Sequence, residues 1–180
     1  GSVTIIDLLR FGKPGYLREV RFDGFNVGGP RHHELPDDVR IYGPNATVAQ
    51  DLEPEYIATD GNTAWVTLQE ANALAVVDIR NARVRKIVVL GFKDHSLPGN
   101  ELDASDRDNA INIANWPVFG MYQPDAIAAF EVKGRKYLIT ANEGDSRDYD
   151  AFGEESRVSA LTLDPAAFPN AATLRASASL

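Results

Sequence analysis

Along much of the chain apolar positions alternate with polar ones, in short runs rich in β-branched and aromatic residues separated by turn-forming residues. A period of two marks strands with one buried face. It predicts strands at 3–8, 56–58, 64–68, 74–79, 86–90, 126–132, 137–141 and 157–163. Asp60-Gly61-Asn62 and Val132-Lys133-Gly134 read as hairpin turns, where glycine supplies the positive φ that such turns require. No stretch shows a helical stripe with caps, although 165–174 has room for a helical turn or two. The expected class is all-β.

The strands repeat. Pro54-Glu55-Tyr56-Ile57-Ala58 aligns with Pro124-Asp125-Ala126-Ile127-Ala128. Trp65-Val66-Thr67-Leu68-Gln69-Glu70 aligns with Leu138-Ile139-Thr140-Ala141-Asn142-Glu143, with a longer turn before the second copy. Leu74-Ala75-Val76-Val77-Asp78-Ile79 matches Val3-Thr4-Ile5-Ile6-Asp7-Leu8 and, more loosely, residues 157–163. A unit of strands a, b, c and d, repeated, is the pattern of a β-propeller with four-stranded, YVTN/WD40-like blades. The count gives a full blade at 54–90, the end of a preceding one at 3–22 and most of a following one at 124–176. Since propellers close with four or more blades, this predicts about half a propeller, a fragment with open blade edges available for self-association. Gly1-Ser2 reads as an expression scar. In such a meander the b–c loop and the d-to-a connection leave on the same face. The inserts at 23–53, 91–123 and 142–155 are therefore expected on one rim, where binding and catalysis usually sit.

Charge sharpens that picture. The 180 residues carry 26 acidic and 18 basic side chains, a net charge of −8. Residues 93–108 hold five acids and two bases, residues 141–155 six acids and one base, and the rest of the chain is balanced. The excess thus lies in two of the three inserts. It argues against nucleic acid as a partner, which needs a basic face. No apolar run reaches the ~18 residues of a membrane span. Cysteine is absent, which excludes disulfides, thiolate metal sites and cysteine nucleophiles.

Several stretches resemble a known family. They are residues 50–58, 64–70, Gly91-Phe92-Lys93-Asp94-His95-Ser96, Leu102-Asp103-Ala104-Ser105-Asp106-Arg107-Asp108, the run from Ile111 to Asp125 through Asn115-Trp116-Pro117, and Thr140-Ala141-Asn142-Glu143-Gly144-Asp145. Over about 41–175 the chain resembles the choice-of-anchor I domain, seen also in mesenchyme-specific cell-surface glycoproteins. The resemblance implies a bacterial, secreted or surface-exposed propeller held by varied C-terminal anchors, with some relatives labelled alkaline phosphatase-like. Residues 23–40 match the family poorly, and the a–b turn is short, Thr59-Asp60-Gly61-Asn62.

Two constellations carry candidate chemistry. Asp94, His95, Asp103, Asp106 and Asp108 crowd one insert, and closely spaced carboxylates are what Ca²⁺ requires; the spacing lacks the glycine and closing glutamate of an EF-hand. The alternative is a solvated loop whose Asp and Ser side chains make local turns. In Asn142-Glu143-Gly144-Asp145-Ser146-Arg147, Glu143 and Asp145 are further candidate metal ligands. Arg147 is placed to pair with either acid or to hold an anionic group. Gln69 and Glu70 occupy the same place one blade earlier, which makes Gln69, Glu70 and Asn142 candidate rim residues; the plainer reading is turn hydrogen bonding. His95 is open between ligand, general base and packing residue, and His32 and His33 read as surface residues. No Gly-x-Ser-x-Gly, Walker or His-Glu-x-x-His motif is present. The first functional expectation is a non-enzymatic surface module that binds a surface protein, glycan or small anionic ligand through its acidic face, with Ca²⁺ as cofactor. The alternative is a metal-dependent phosphoesterase using Glu143, Asp145, Arg147 and His95 on the same face.

Overall fold

The computed structural model describes residues 1–176, which form short antiparallel sheets with a few helical turns. They divide into two compact units, residues 1–91 with 121–147, and residues 92–120 with 148–176.

The first unit is organised by one four-stranded antiparallel meander, β3 (Pro54–Thr59), β4 (Thr63–Leu68), β5 (Ala73–Asp78) and β6 (Arg83–Val89). These strands form where the alternation predicted them, β3, β4 and β6 a residue or more longer and β5 shifted by one residue. Strands β4 and β5 are the inner pair. Ala73 and Ala75 are fully buried and pair with Leu68 and Val66 on one side and Val89 and Ile87 on the other. That face packs into a cluster with Val3 and Val20 of the hairpin formed by β1 (Ser2–Ile6) and β2 (Leu17–Arg21).

Phe22, Phe25, Val39, Val48 and Leu52 join the same cluster, so the 23–53 insert is part of the core as well as a loop. Within it the short helix α1 (Val48–Asp51) starts at a capping box, with the Thr47 side chain accepting from the Gln50 N–H and Gln50 reaching back to the Thr47 N–H. Arg31 fastens this segment to the sheet. Its guanidinium donates to the carbonyls of Val84 and Arg85, pairs with Glu34, and lies 4.4 Å over the Phe25 ring.

The opposite face of the meander meets the hairpin of β11 (Pro124–Val132) and β12 (Arg135–Asn142): Thr67 donates to the Asp125 carbonyl, and Trp65 lies beside Ala129 and Phe130. The hairpin turns at Lys133 and Gly134, both at positive φ.

One repeat feature has a local cause. Asp78 and Asp7 end equivalent strands, and each carboxylate accepts a backbone N–H from the turn that follows, from Asn81 and Leu9 respectively. Asp78 also accepts from the Asn81 side chain and from Arg85, and these partners hold its carboxyl down to about 2.

The second unit contains β7 (Phe92–Asp94) paired with β10 (Phe119–Met121), β8 (Leu102–Asp103) with β9 (Ile113–Ala114), β13 (Asp148–Tyr149) with β14 (Phe152–Gly153), and the helix α2 (Ala171–Ala176). The strand expected at 157–163 does not form. Val158–Ala160 make a 3-10 turn instead, closed by the Ala160 and Leu161 N–H groups on the Arg157 and Val158 carbonyls. Alternation gives a strand a face but not a neighbour, and among the described residues this segment has no partner strand. The β11–β12 sheet therefore has two strands where the repeat predicts four. Among the described residues every sheet is open-edged.

Candidate functional site

The β4–β5 turn, Gln69-Glu70-Ala71-Asn72, is buried although three of its residues are polar. Asn72 closes it, donating its N–H to the Gln69 carbonyl at a φ of 51°, a conformation asparagine tolerates better than most residues. Its side chain then ties two chain connections to the turn. The amide nitrogen donates to the Gly91 carbonyl at 2.8 Å, and the amide oxygen accepts from the N–H groups of Tyr122 and Gln123 at 3.0 and 3.1 Å. Gln123 in turn donates from its side chain to the Asp145 carbonyl, and its own carbonyl accepts the Glu143 N–H. One turn thus positions the 142–147 segment.

Arg147 ends that segment wholly buried. Its Nε lies 2.9 Å from Asp51 Oδ1, and its Nη2 donates to the Asp51 carbonyl at 2.9 Å. The same carboxylate accepts the N–H groups of Tyr42 and Gly43 at 2.6 and 3.0 Å. A Cβ on Gly43 would stand 2.4 Å from Asp51 Oδ1, so residue 43 must be glycine for this carboxylate to be received. The guanidinium expected to meet Glu143, Asp145 or an anionic ligand is held by Asp51, a partner the sequence pattern does not name.

Around this pair gathers an acidic group. Burial pushes the Glu70 carboxyl up, reinforced by Glu53 and Asp145 and opposed by its own N–H and by Arg147. Partial shielding pushes Glu55 up as well, with Glu70, Asp125, Asp145 and Glu53 adding to the effect. Glu70 Oε2 and Gln69 Nε2 are buried without hydrogen-bond partners. The structure thus brings together Glu70, Asp145 and Arg147 of the predicted residues and adds Glu53, Glu55, Asp125 and Asp51. Pro54-Glu55 and Pro124-Asp125 were visible as repeat elements, and their acids recur for that reason. Glu143 and Asn142 are exposed, unlike their repeat equivalents Glu70 and Gln69; Asn142 accepts only a local bond from Thr140.

The acids of residues 94–108 are held separately. Asp94 accepts from the N–H and hydroxyl of Ser96, which lower its carboxyl. Asp103 lies in β8 opposite Ile113. Asp106 is gripped by the Arg157 guanidinium, which holds its carboxyl down to about 2, and Asp108 accepts the Ala110 N–H. Among the described residues no three His, Asp or Glu side chains converge in a way that could hold a metal ion.

His95 is half-buried. Its Nδ1 lies 2.6 Å from the Asn100 carbonyl, an acceptor, so Nδ1 carries the proton; its Nε2 faces Gly120, where a Cβ would stand 2.7 Å away. Asn115 and Trp116 complete this small network through the carbonyls of His95, Leu97 and Leu102. His32 accepts a similar place, with Nδ1 3.0 Å from the Phe25 carbonyl.

The fold and this site define an all-β domain of open-edged sheets whose b–c end is acidic. The family model for the choice-of-anchor I domain matches residues 1–180, and the chain belongs to that family. The match takes in residues 23–40, whose own pattern does not show the likeness. Comparison with curated proteins and with solved structures finds no match. No helix among the described residues is long and apolar enough to cross a membrane.

Proposed function

We propose that the protein is a surface module: a part of a β-propeller, displayed outside the cell or on its surface, that binds a partner through the acidic end built on the β4–β5 turn. The observation that carries this reading is the match to a family named for surface anchoring over the whole chain. The four-stranded meander with its recurrent hairpins supports the propeller part. The gathering of Glu55, Glu70, Asp125 and Asp145 near the β4–β5 turn supports the binding part, and its charge favours a cationic group on a surface protein over an anionic ligand.

The test is antibody labelling of intact cells producing the natural protein, with membrane permeabilisation as the comparison. Labelling of intact cells is expected, and labelling only after permeabilisation would overturn the proposal. A Ca²⁺-dependent form of it requires Asp94, Asp106 and Asp108 to exchange their present protein partners for the ion. Calorimetric titration with Ca²⁺ decides that part, since a flat titration with no change in melting removes Ca²⁺ from the reading. No observation favours the phosphoesterase alternative.

A further inference from the structure

The b–c end of the first unit is acidic, and the opposite end of the same strands is basic. That end is formed by the β3–β4 turn at 60–62, the β5–β6 turn at 79–82, the β11–β12 turn at 133–134 and the β1–β2 loop at 7–16. Three contacts join them: Lys136 donates to the Asp60 carboxylate, the Ile79 N–H to the Asn62 carbonyl, and Arg18 to the Arg80 carbonyl. Arg10, Lys13, Arg80, Arg83, Lys133 and Arg135 stand exposed there. Of the nearby acids, Asp7 accepts the Leu9 N–H, Asp60 holds Lys136, Asp78 holds Asn81 and Arg85, and Glu131 is exposed. A net charge of −8 for the chain thus conceals a basic face.

The β1–β2 loop departs from the equivalent turn of the four-stranded sheet. Asp78 and Arg83 enclose residues 79–82, whereas Asp7 and Tyr16, joined by the Asp7 N–H on the Tyr16 carbonyl, enclose residues 8–15. Leu8 corresponds to Ile79, which the β3–β4 turn covers, and a full blade would give Leu8 the same cover. Leu9 stands where the β5–β6 turn has the exposed Arg80, and Phe11 lies in the added length. They are 94% and 69% exposed. The loop that carries them is well built. The N–H groups of Arg10, Phe11, Lys13 and Tyr16 bond to the carbonyls of Asp7, Leu8, Arg10 and Lys13. Phe11 meets Tyr16 edge to face with ring centroids 5.3 Å apart, and Gly12 and Gly15 turn the chain at positive φ. Backbone groups bonded within the loop lose little on leaving water, which is the condition for entering an apolar phase. Apolar side chains flanked by bases are the composition of segments that lie in a bilayer interface.

We propose that this loop docks the protein on an anionic lipid bilayer, with Leu9 and Phe11 entering the interface and the arginines and lysines around them facing the head groups. Charge complementarity selects an anionic surface. The apolar tip selects a bilayer over a soluble polyanion, which offers it nothing to enter. The acidic b–c end then faces away from the membrane. The inference goes beyond the proposed function, since it concerns the other end of the strands and does not depend on what the acidic group binds.

Cosedimentation with vesicles tests it, using phosphatidylcholine alone and phosphatidylcholine mixed with phosphatidylglycerol. Binding to the mixed vesicles severalfold above the neutral ones is expected. Leu9→Ser/Phe11→Ser and Arg10→Gln/Lys13→Gln are each expected to lose most of that binding with the melting temperature unchanged, since all four side chains are exposed. The absence of cysteine lets a polarity-sensitive dye be placed at a single Leu9→Cys site, where its emission is expected to shift to the blue on the mixed vesicles. The same dye at Glu143→Cys, on the b–c end, is expected to stay unshifted. Failure to bind the mixed vesicles overturns the proposal, as does an unshifted dye at Leu9→Cys. Binding of dextran sulfate, with vesicle binding indifferent to the serine pair, assigns the basic face to a soluble polyanion and overturns the bilayer as occupant.

Discussion

Glu70 is a carboxylate placed where a neutral group would fit better. It is 9% exposed, one of its oxygens has no hydrogen-bond partner, and Glu53 and Asp145 stand near. Its folded-state carboxyl is raised above the ordinary value, so the folded protein holds this proton more tightly than the unfolded chain. The sign follows: stability from this group is full below the unfolded value and falls as pH rises through the folded one. Glu70→Gln has no proton to lose. The variant is therefore expected to be more stable than the parent at about pH 7, with the gap shrinking toward roughly pH 4. Denaturant titrations at the two pH values measure it, and a gap that does not change with pH refutes the assignment. Asp78 runs the other way. Lowered to about 2, it stabilises the fold above the ordinary carboxylate range, and that contribution fades as pH falls through its own value. The two residues separate by environment: Asp78 has Asn81 and Arg85 as donors, and Glu70 has acids around it.

At the scale of elements, Asn72 does what a longer connection would otherwise do. It satisfies the buried Gln123 N–H, the part-buried Tyr122 N–H and one carbonyl at the junction of β4–β5, the exit of β6 and the entry to β11. Asn72→Gly keeps the positive φ and removes only these ties. It is expected to cost about 2–3 kcal/mol in chemical denaturation, the scale of buried groups left unsatisfied. A loss no greater than that of an exposed turn substitution would show that the amide is dispensable.

The strands themselves were legible because alternation is local, and the hairpin turns because glycine announces them. The strand at 157–163 was misread because pairing is not local: its alternation is real, but no neighbour lies alongside. α1 left a readable trace in Thr47-x-x-Gln50 that a search for long apolar stripes passes over. In the site, Glu70 could be named from the repeat, and Asp145 and Arg147 from the charged segment after β12, whereas Asp51 could not, since nothing in its own surroundings points to Arg147.

For the whole molecule, the distribution of buried apolar side chains is uneven. The core cluster is drawn entirely from the first unit, from Val3 to Ile87. The second unit buries Leu174 and otherwise relies on short strand pairs and on side-chain amides such as Asn100 and Asn115 bonded to carbonyls. Bonds exposed to water and unsupported by apolar burial open at low free energy. Hydrogen exchange is expected to be slowest for amides of β4, β5 and β6, and faster by orders of magnitude for those of residues 94–118. Equal protection in the two sets would mean that the second unit has a source of stability other than its packing.

The Asp51–Arg147 bond also sets an order in time. Its ends are 96 residues apart along the chain. As the polypeptide leaves the ribosome, α1 and the meander are complete long before Arg147 emerges. Until then the carboxylate that Tyr42 and Gly43 receive has no cation, and closing so long a loop is entropically slow. The first unit is thus begun by its early strands and locked by one of its last residues, and a nascent chain stopped short of Arg147 would hold a built sheet with its latch still open.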